Sequence, residues 1–134
     1  SQVDLNHVYD LDMDIYAPCA LGGTLNNDTI DRLKCQIVAG AANNQLKDED
    51  LHGKALLERG ILYAPDFAVN AGGVINCFSE VEGLSSEWAL QKAQDIYHTI
   101  YDIVERSQNE NKPTHLIAMN MAEEKINAAH KPLF

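Results

Sequence analysis

The hydrophobic pattern is a series of short apolar runs closed by small residues, alternating with stretches of helical spacing. Ile15 and Tyr16 begin the series, followed by Ala17, Pro18, Cys19, Ala20, Leu21, Gly22 and Gly23. Residues 35–42 (CQIVAGAA) form a second run and residues 61–64 (ILYA) a third. Each has the length and content of a strand buried on both faces. The first and third runs end alike, in Tyr-Ala-Pro and then small residues. Proline cannot donate to a central ladder, so regular pairing should stop there.

Between and after these runs the period changes to that of helices. Asn26 or Asn27 is placed to cap a first helix, with Asp28 in its opening turn and Ile30 and Leu33 toward the sheet. Asp48 caps a second, with Leu51, Ala55 and Leu56 at helical spacing and Gly60 at its C′ position. Val74 and Ile75 open a third after the third run. A long helix is predicted over about residues 86–107, with Ala89, Ala93, Ile96, Tyr97, Ile100 and Val104 as its apolar stripe. After a polar break at 109–112, a last helix runs from 113 or 114 to about 126, with Leu116, Met119 and Ala122 on one side. Strand and helix alternating over short links predict a right-handed βαβαβ unit with a parallel sheet. The fold class is α/β: half of a doubly wound parallel sheet, followed by C-terminal helices.

Composition narrows the function classes. The 134 residues are enough for one domain with a real core, and no linker marks a second. A formal charge of -10 argues against nucleic acid or an anionic membrane as partner. No apolar run reaches the ~20 residues of a membrane span. Cys19, Cys35 and Cys77 are odd in number and widely spaced, which points to a reducing, cytoplasmic setting. Cys35 and Cys77 read as small buried hydrophobes. His7, His52, His98, His115 and His130 show no metal-ligand spacing, so no metal site is expected. His52, followed by Gly53, reads as a surface residue.

The candidate chemistry lies at the ends of the apolar runs. In open parallel sheets, ligands bind beyond the carboxyl ends of the strands. Three such ends carry small residues, 17–23, 42–45 and 70–73, and the last two carry asparagine as well. Glycines there let another molecule approach the backbone, though each Gly-Gly pair fits a tight turn equally well. Asparagine is neutral and both donates and accepts, which suits a carboxamide or ribose hydroxyls. Taken alone, Asn43, Asn44 and Asn70 also fit caps and turns. No G-x-G-x-x-G and no G-x-x-x-x-G-K-[ST] occurs, so the phosphate loop that opens a dinucleotide domain is not in these residues. That argues against a complete small flavodoxin-like protein.

Three motifs in unbroken order carry a resemblance: DIYAPCALG from Asp14, ANNQL from Ala42, and YAPDF from Tyr63 through NAGGVIN from Asn70. They resemble the glutamate/leucine/phenylalanine/valine dehydrogenases, with the leucine dehydrogenases as the nearest branch. The likeness extends over about residues 12–126. Asn120 and Met121 depart from the aspartate and leucine usual there, and Cys77 from the usual valine.

The resemblance implies the C-terminal half of an NAD-binding domain occupying 1–134, without the phosphate-binding first βαβ. It implies an enzyme that oxidatively deaminates an L-amino acid to a 2-oxo acid and ammonia with NAD. Ala17, Cys19, Ala20, Gly22, Ala42 and Asn43 would line the cofactor, and Asn44 and Asn70 would lie near the nicotinamide or its ribose. Val74 and Cys77 would wall the substrate side-chain pocket. Neither is charged, which favours a branched aliphatic substrate, leucine first, over glutamate. Phenylalanine, valine and glutamate dehydrogenases are the alternatives, as is a non-catalytic assembly module on the same half-fold. The catalytic lysines and aspartate would belong to an N-terminal domain, and a homo-oligomer is expected.

Overall fold

The computed structural model describes residues 2–129; Ser1 and residues 130–134, with His130 among them, lie outside it. Three strands form one parallel sheet in the order of the chain: β1 (Ile15–Tyr16), β2 (Ile37–Val38) and β3 (Leu62–Tyr63). Ile15 pairs with Ile37 and Ile37 with Leu62; Tyr16 pairs with Val38 and Val38 with Tyr63. The strands are short because each runs at once into its small-residue turn. The repeated Tyr-Ala-Pro has a structural meaning: Tyr16 and Tyr63 are the last residues of β1 and β3, and Pro18 and Pro65 are both buried.

Five helices accompany the sheet: α1 (Glu49–Glu58), α2 (Asp66–Val69), α3 (Gly72–Val81), α4 (Ser86–Glu110) and α5 (Thr114–Ala129). The Asp48 carboxylate accepts the Leu51 N–H at 2.8 Å and starts α1. Gly60 follows α1 at φ +68°, the left-handed value that a C′ glycine supplies. Ser85 caps α4 by accepting the Trp88 N–H at 3.2 Å. α4 runs three residues beyond the expected end and stops at Asn111, which takes φ 50°.

The helix expected after Asn26 or Asn27 is replaced by a single 3₁₀ turn, Ile30–Arg32. Local side-chain bonds take the backbone groups a helix would need. The Asn26 N–H donates to Thr29 Oγ1 at 3.0 Å, the Asp28 N–H to Asn26 Oδ1 at 2.9 Å, and the Thr29 hydroxyl to the Thr24 carbonyl at 2.6 Å. Ile30 and Leu33 are nonetheless buried under the sheet, as their spacing predicts.

Two helices depart from their expected phase. On α1, Leu56 is buried and Ala55 packs on the core as expected, but Leu51 is exposed and His52 and Gly53 turn inward. On α5 they are Thr114, His115, Ile117 and Ala118, with Met121 packed beside them; Leu116, Met119 and Ala122 share the outer side. One pair of contacts sets both phases. The His115 ring lies so close over Gly53 that a Cβ there would overlap it. The Thr114 hydroxyl donates to the Tyr63 carbonyl at 2.6 Å, which anchors α5 on the outer edge of β3. On α4, Ala89 is buried and Ala93, Ile96, Ile100 and Val104 are half-buried as expected, but Tyr97 is exposed and Ile103 lies deeper than any of them.

His52 is buried, contrary to its surface reading. Its Nδ1 accepts the Asp48 N–H at 2.9 Å, so Nε2 carries the proton and donates to Asn27 Oδ1 at 3.0 Å. The ring thereby ties the start of α1 to the loop after β1. Cys35 is buried, and burial pushes its thiol pKa up; Cys77 is exposed, contrary to its expected burial.

The main core joins Leu25, Ile30, Leu33, Val38, Leu46, Leu56, Ile61 and Tyr63. Leu25 and Leu46 form an extra parallel bridge beyond the ends of β1 and β2. A second core of Ile103, Ile117 and Ala118 joins α4 to α5. Arg106 reinforces that pair, with a fork to Glu124 at 2.9 and 2.7 Å and a bond to Glu110 at 2.7 Å. Among the described residues, no helix is long and apolar enough to cross a membrane.

Candidate functional site

The carboxyl ends of the three strands meet in one rim. The turn after β2 is its centre. The Ala42 N–H donates to the Pro18 carbonyl at 3.0 Å, and the Gly23 N–H to the Asn44 carbonyl at 2.7 Å. Glycine is required at two of these contacts. A Cβ at Gly22 would lie 2.7 and 2.9 Å from the carbonyl oxygens of Asn43 and Asn44, and one at Gly40 would overlap the Pro18 backbone. The Ala41 N–H points at Cys19 Sγ, 3.4 Å away. On the other side, Asn70 Nδ2 donates to Asn43 Oδ1 at 2.5 Å and to the Ala41 carbonyl at 3.3 Å.

The structure thus brings Cys19, Gly22, Asn43, Asn44 and Asn70 to one rim. Ala17, Cys19, Ala20, Gly22, Asn43 and Asn44 are exposed there, Asn70 is half-buried, and Ala42 is buried beneath it. Asn44 adopts φ 52°, so its first role is to turn the chain. Cys19 faces a backbone N–H; the hydrogen bonds place neither histidine nor lysine on it.

Beyond the rim lies α3. Val74, at 68% exposure, and Cys77 share an open face with Phe78 and Val81. Gly72 and Gly73 open this helix with ordinary negative φ, and a Cβ on either would meet nothing within 4 Å. Neither backbone geometry nor internal crowding calls for glycine at these two positions. The face carries no charge between Gly72 and Ser79.

Sequence reasoning missed the groups beneath the rim. Gln45 is fully buried; its Nε2 donates to the carbonyls of Gly40 (2.8 Å) and Ala42 (2.9 Å). Its own N–H donates to Asp66 Oδ2 at 2.7 Å. Asp66 is buried at the end of β3, and its N–H donates to the Tyr63 hydroxyl at 3.3 Å. Burial, followed by the neighbouring Asp66 charge, drives the Tyr63 pKa upward. Tyr16, at the end of β1, is pushed up to about 12 by burial and by its contact with Tyr9. Both phenols stay protonated and act as hydrogen-bonding props. A glutamine directly before a core leucine, as in Gln45-Leu46, was the available signal. Among the described residues, no group of three His, Cys, Asp or Glu side chains comes together to hold a metal ion.

The sequence profile of the Glutamate/Leucine/Phenylalanine/Valine dehydrogenase family matches residues 2–132. The chain belongs to that family. It is 51% identical over 124 residues to the leucine dehydrogenase of Thermoactinomyces intermedius and 52% identical over 124 residues to that of Bacillus subtilis (strain 168). In each case the match takes in 92% of this chain and 34% of the relative. The crystal structure of L-tryptophan dehydrogenase from Nostoc punctiforme superposes with a TM-score of 0.91 at 46% identity, over 94% of this chain and 38% of that one. The chain thus spans about a third of the length of the curated relatives it matches. The α/β architecture, with its three-stranded parallel sheet and C-terminal helices, is that of this dehydrogenase fold.

Proposed function

We propose that residues 1–134 are the nicotinamide-facing, C-terminal half of the NAD-binding domain of an L-amino-acid dehydrogenase. The preferred substrate is a branched aliphatic amino acid, leucine first. The carrying observation is the junction of two surfaces: a rim of neutral side-chain amides, and next to it an uncharged apolar face with bare glycines at its head.

The rim fits a nicotinamide cofactor. Asn43 and Asn70 present amides to the carboxamide and ribose, and Ala17, Ala20 and Gly22 keep the approach clear of side chains. The one carboxylate bonded to the β2 turn, Asp66, is buried and engaged by a backbone N–H. When bound, such a cofactor supplies the hydride acceptor that turns the substrate amine into an imine, which water hydrolyses to the 2-oxo acid and ammonia. Val74 and Cys77 hold the substrate side chain against α3 and offer no partner for a carboxylate, whose unpaired burial is costly. The catalytic lysine, the aspartate and the second lysine that would bind the substrate carboxylate are assigned to an N-terminal domain, and the phosphate loop to the first βαβ half of the NAD-binding domain. Residues 1–134 alone are therefore inactive and bind NAD poorly. The intact protein is a soluble oligomer of the cytoplasm.

An aromatic substrate is the second reading. Val74 is open enough to leave the pocket's depth to the other wall, and the tryptophan dehydrogenase shares this fold over 94% of the chain. The test is kcat/KM of the full-length protein for leucine, valine, phenylalanine, tryptophan and glutamate, each with NAD and NADP. Leucine with NAD is expected to lead. Preference for glutamate would overturn the pocket assignment, and no turnover of any of the five would favour a non-catalytic assembly module.

A further inference from the structure

Gln45 is an expensive residue to bury. Both hydrogens of its amide are taken by carbonyls of the turn after β2, Gly40 and Ala42, while its Oε1 is buried without a partner. A side chain chosen only to fill the core at this point would be apolar, as neighbouring Leu46 is. The two carbonyls it grips flank Ala41. The Ala41 N–H meets Cys19 at the end of β1, and the Ala41 carbonyl meets Asn70 after β3. The Gln45 N–H is in turn fastened to Asp66 at the base of α2. One buried amide, itself out of reach of any ligand at the rim, therefore sets where the β2 turn sits relative to both neighbouring strand ends.

We propose that Gln45 is a positioning residue for the cofactor: by clamping the Gly40 and Ala42 carbonyls from below, it holds the Asn43–Asn70 pair in the geometry that receives the nicotinamide end. This rests on the nicotinamide reading of the rim. It adds that affinity is set in part by a side chain that never touches the ligand. Removing the clamp keeps both asparagine side chains in the protein but lets the turn that carries Asn43 wander. Preorganisation is lost, which appears as weaker binding and not as a lost chemical step.

The experiment uses Gln45→Met in the full-length protein, a change of similar volume that removes both donors. Two readouts are taken. The first is the kinetics with NAD: the cofactor KM should rise roughly tenfold while kcat changes less than about threefold. The second is the alkylation rate of Cys19 by iodoacetamide, followed peptide by peptide with exposed Cys77 as internal reference. Cys19 touches the clamped turn and Cys77 does not, so the Cys19 rate alone should rise. Should Gln45→Met fail to fold, Gln45→Asn, one methylene shorter, is the milder form of the same test. An unchanged Cys19 rate shows that the turn does not depend on the clamp and overturns the proposal. A raised Cys19 rate with unchanged cofactor KM, in a protein that does use NAD, also overturns it, since the turn would then move without consequence for the cofactor. If the unaltered protein binds no NAD, the nicotinamide reading falls, and the proposal with it; the Cys19 rates then still report whether the clamp holds the turn.

Discussion

Small residues serve opposite purposes at the two ends of the candidate site. Around the β2 turn they are enclosed: Gly40 lies against the Pro18 backbone and Gly22 against the carbonyls of Asn43 and Asn44, as Gly53 of α1 is enclosed elsewhere beneath the His115 ring. At the head of α3 they are bare, for Gly72 and Gly73 face open space and lead onto the exposed Val74 and Phe78. In the first region glycine lets the chain fit itself. In the second, nothing within the described residues requires it, and that surface is the one proposed above to receive the substrate side chain. A Gly-Gly pair in sequence does not distinguish these cases; only the packing does.

The widest separation between the two regions should come from removing apolar mass. Leu56 is fully buried under the sheet, so Leu56→Ala should cost about 2–5 kcal/mol of stability. Val74→Ala, on the open face, should stay within about 0.5 kcal/mol. Denaturant titrations of both variants measure this. A Val74→Ala loss as large as that of Leu56→Ala would mean that the α3 face is packed in solution.

Adding a methyl group tests the same contrast in the opposite direction. Gly40→Ala forces a Cβ into rigid backbone and should destabilise by about 1–3 kcal/mol or more. Gly73→Ala lies in a helix with free space above it and should stabilise by roughly 0.5–1 kcal/mol. In the full-length protein Gly73→Ala should nevertheless raise a ligand KM, because the added methyl occupies the approach path. Unchanged kinetics would show that α3 is bare for another reason.

The same division explains what could be read from sequence. The strands were legible because runs such as 61–64 are buried on nearly every side and carry no other pattern. Asn43 and Asn70 were legible as rim residues because they lie in the small-residue segments, 42–45 and 70–73, that come after the second and third apolar runs. The phase of α5, and the inward turn of His52 and Gly53 on α1, were not legible. The contacts that set them, His115 on Gly53 and Thr114 on the Tyr63 carbonyl, join residues more than fifty positions apart. Gln45 and Asp66 were missed because a buried polar residue and a solvated one are the same letter. The first crossover helix was lost to side-chain bonds of Asn26 and Thr29 that propensity alone does not weigh.

The packed region also carries a pH signature. Burial lowers the His115 pKa from its usual 6.5, against the opposing pull of Glu49 and Asp50. The unfolded chain therefore takes up this proton first as pH falls. His115 contributes stability that is present above about pH 6.5 and is lost as pH drops toward the lower folded value, at no more than ~1.4 kcal/mol per pH unit. Denaturation midpoints between about pH 7 and pH 5 should fall for the natural sequence, and His115→Asn should flatten that dependence. An unchanged slope in His115→Asn would move the effect to another group.

The smallest effect concerns the open region, where the proposed function places substrate selectivity. Val74 and Cys77 lie at i and i+3 on α3 and project from one face, both uncharged and both exposed in this chain. Cysteine and valine differ by little in volume. In the proposed reading the opposite wall of the pocket lies outside residues 1–134, so a change at Cys77 alters one side only. A methylene's difference in an apolar pocket is worth ~1–3 kcal/mol when both walls are closed. With one wall altered by less than a methylene, Cys77→Val in the full-length protein should move the leucine-to-valine ratio of kcat/KM by less than roughly tenfold, about 1.4 kcal/mol. A larger shift would show that Cys77 sits at the end of the pocket and measures substrate length, in place of forming its side.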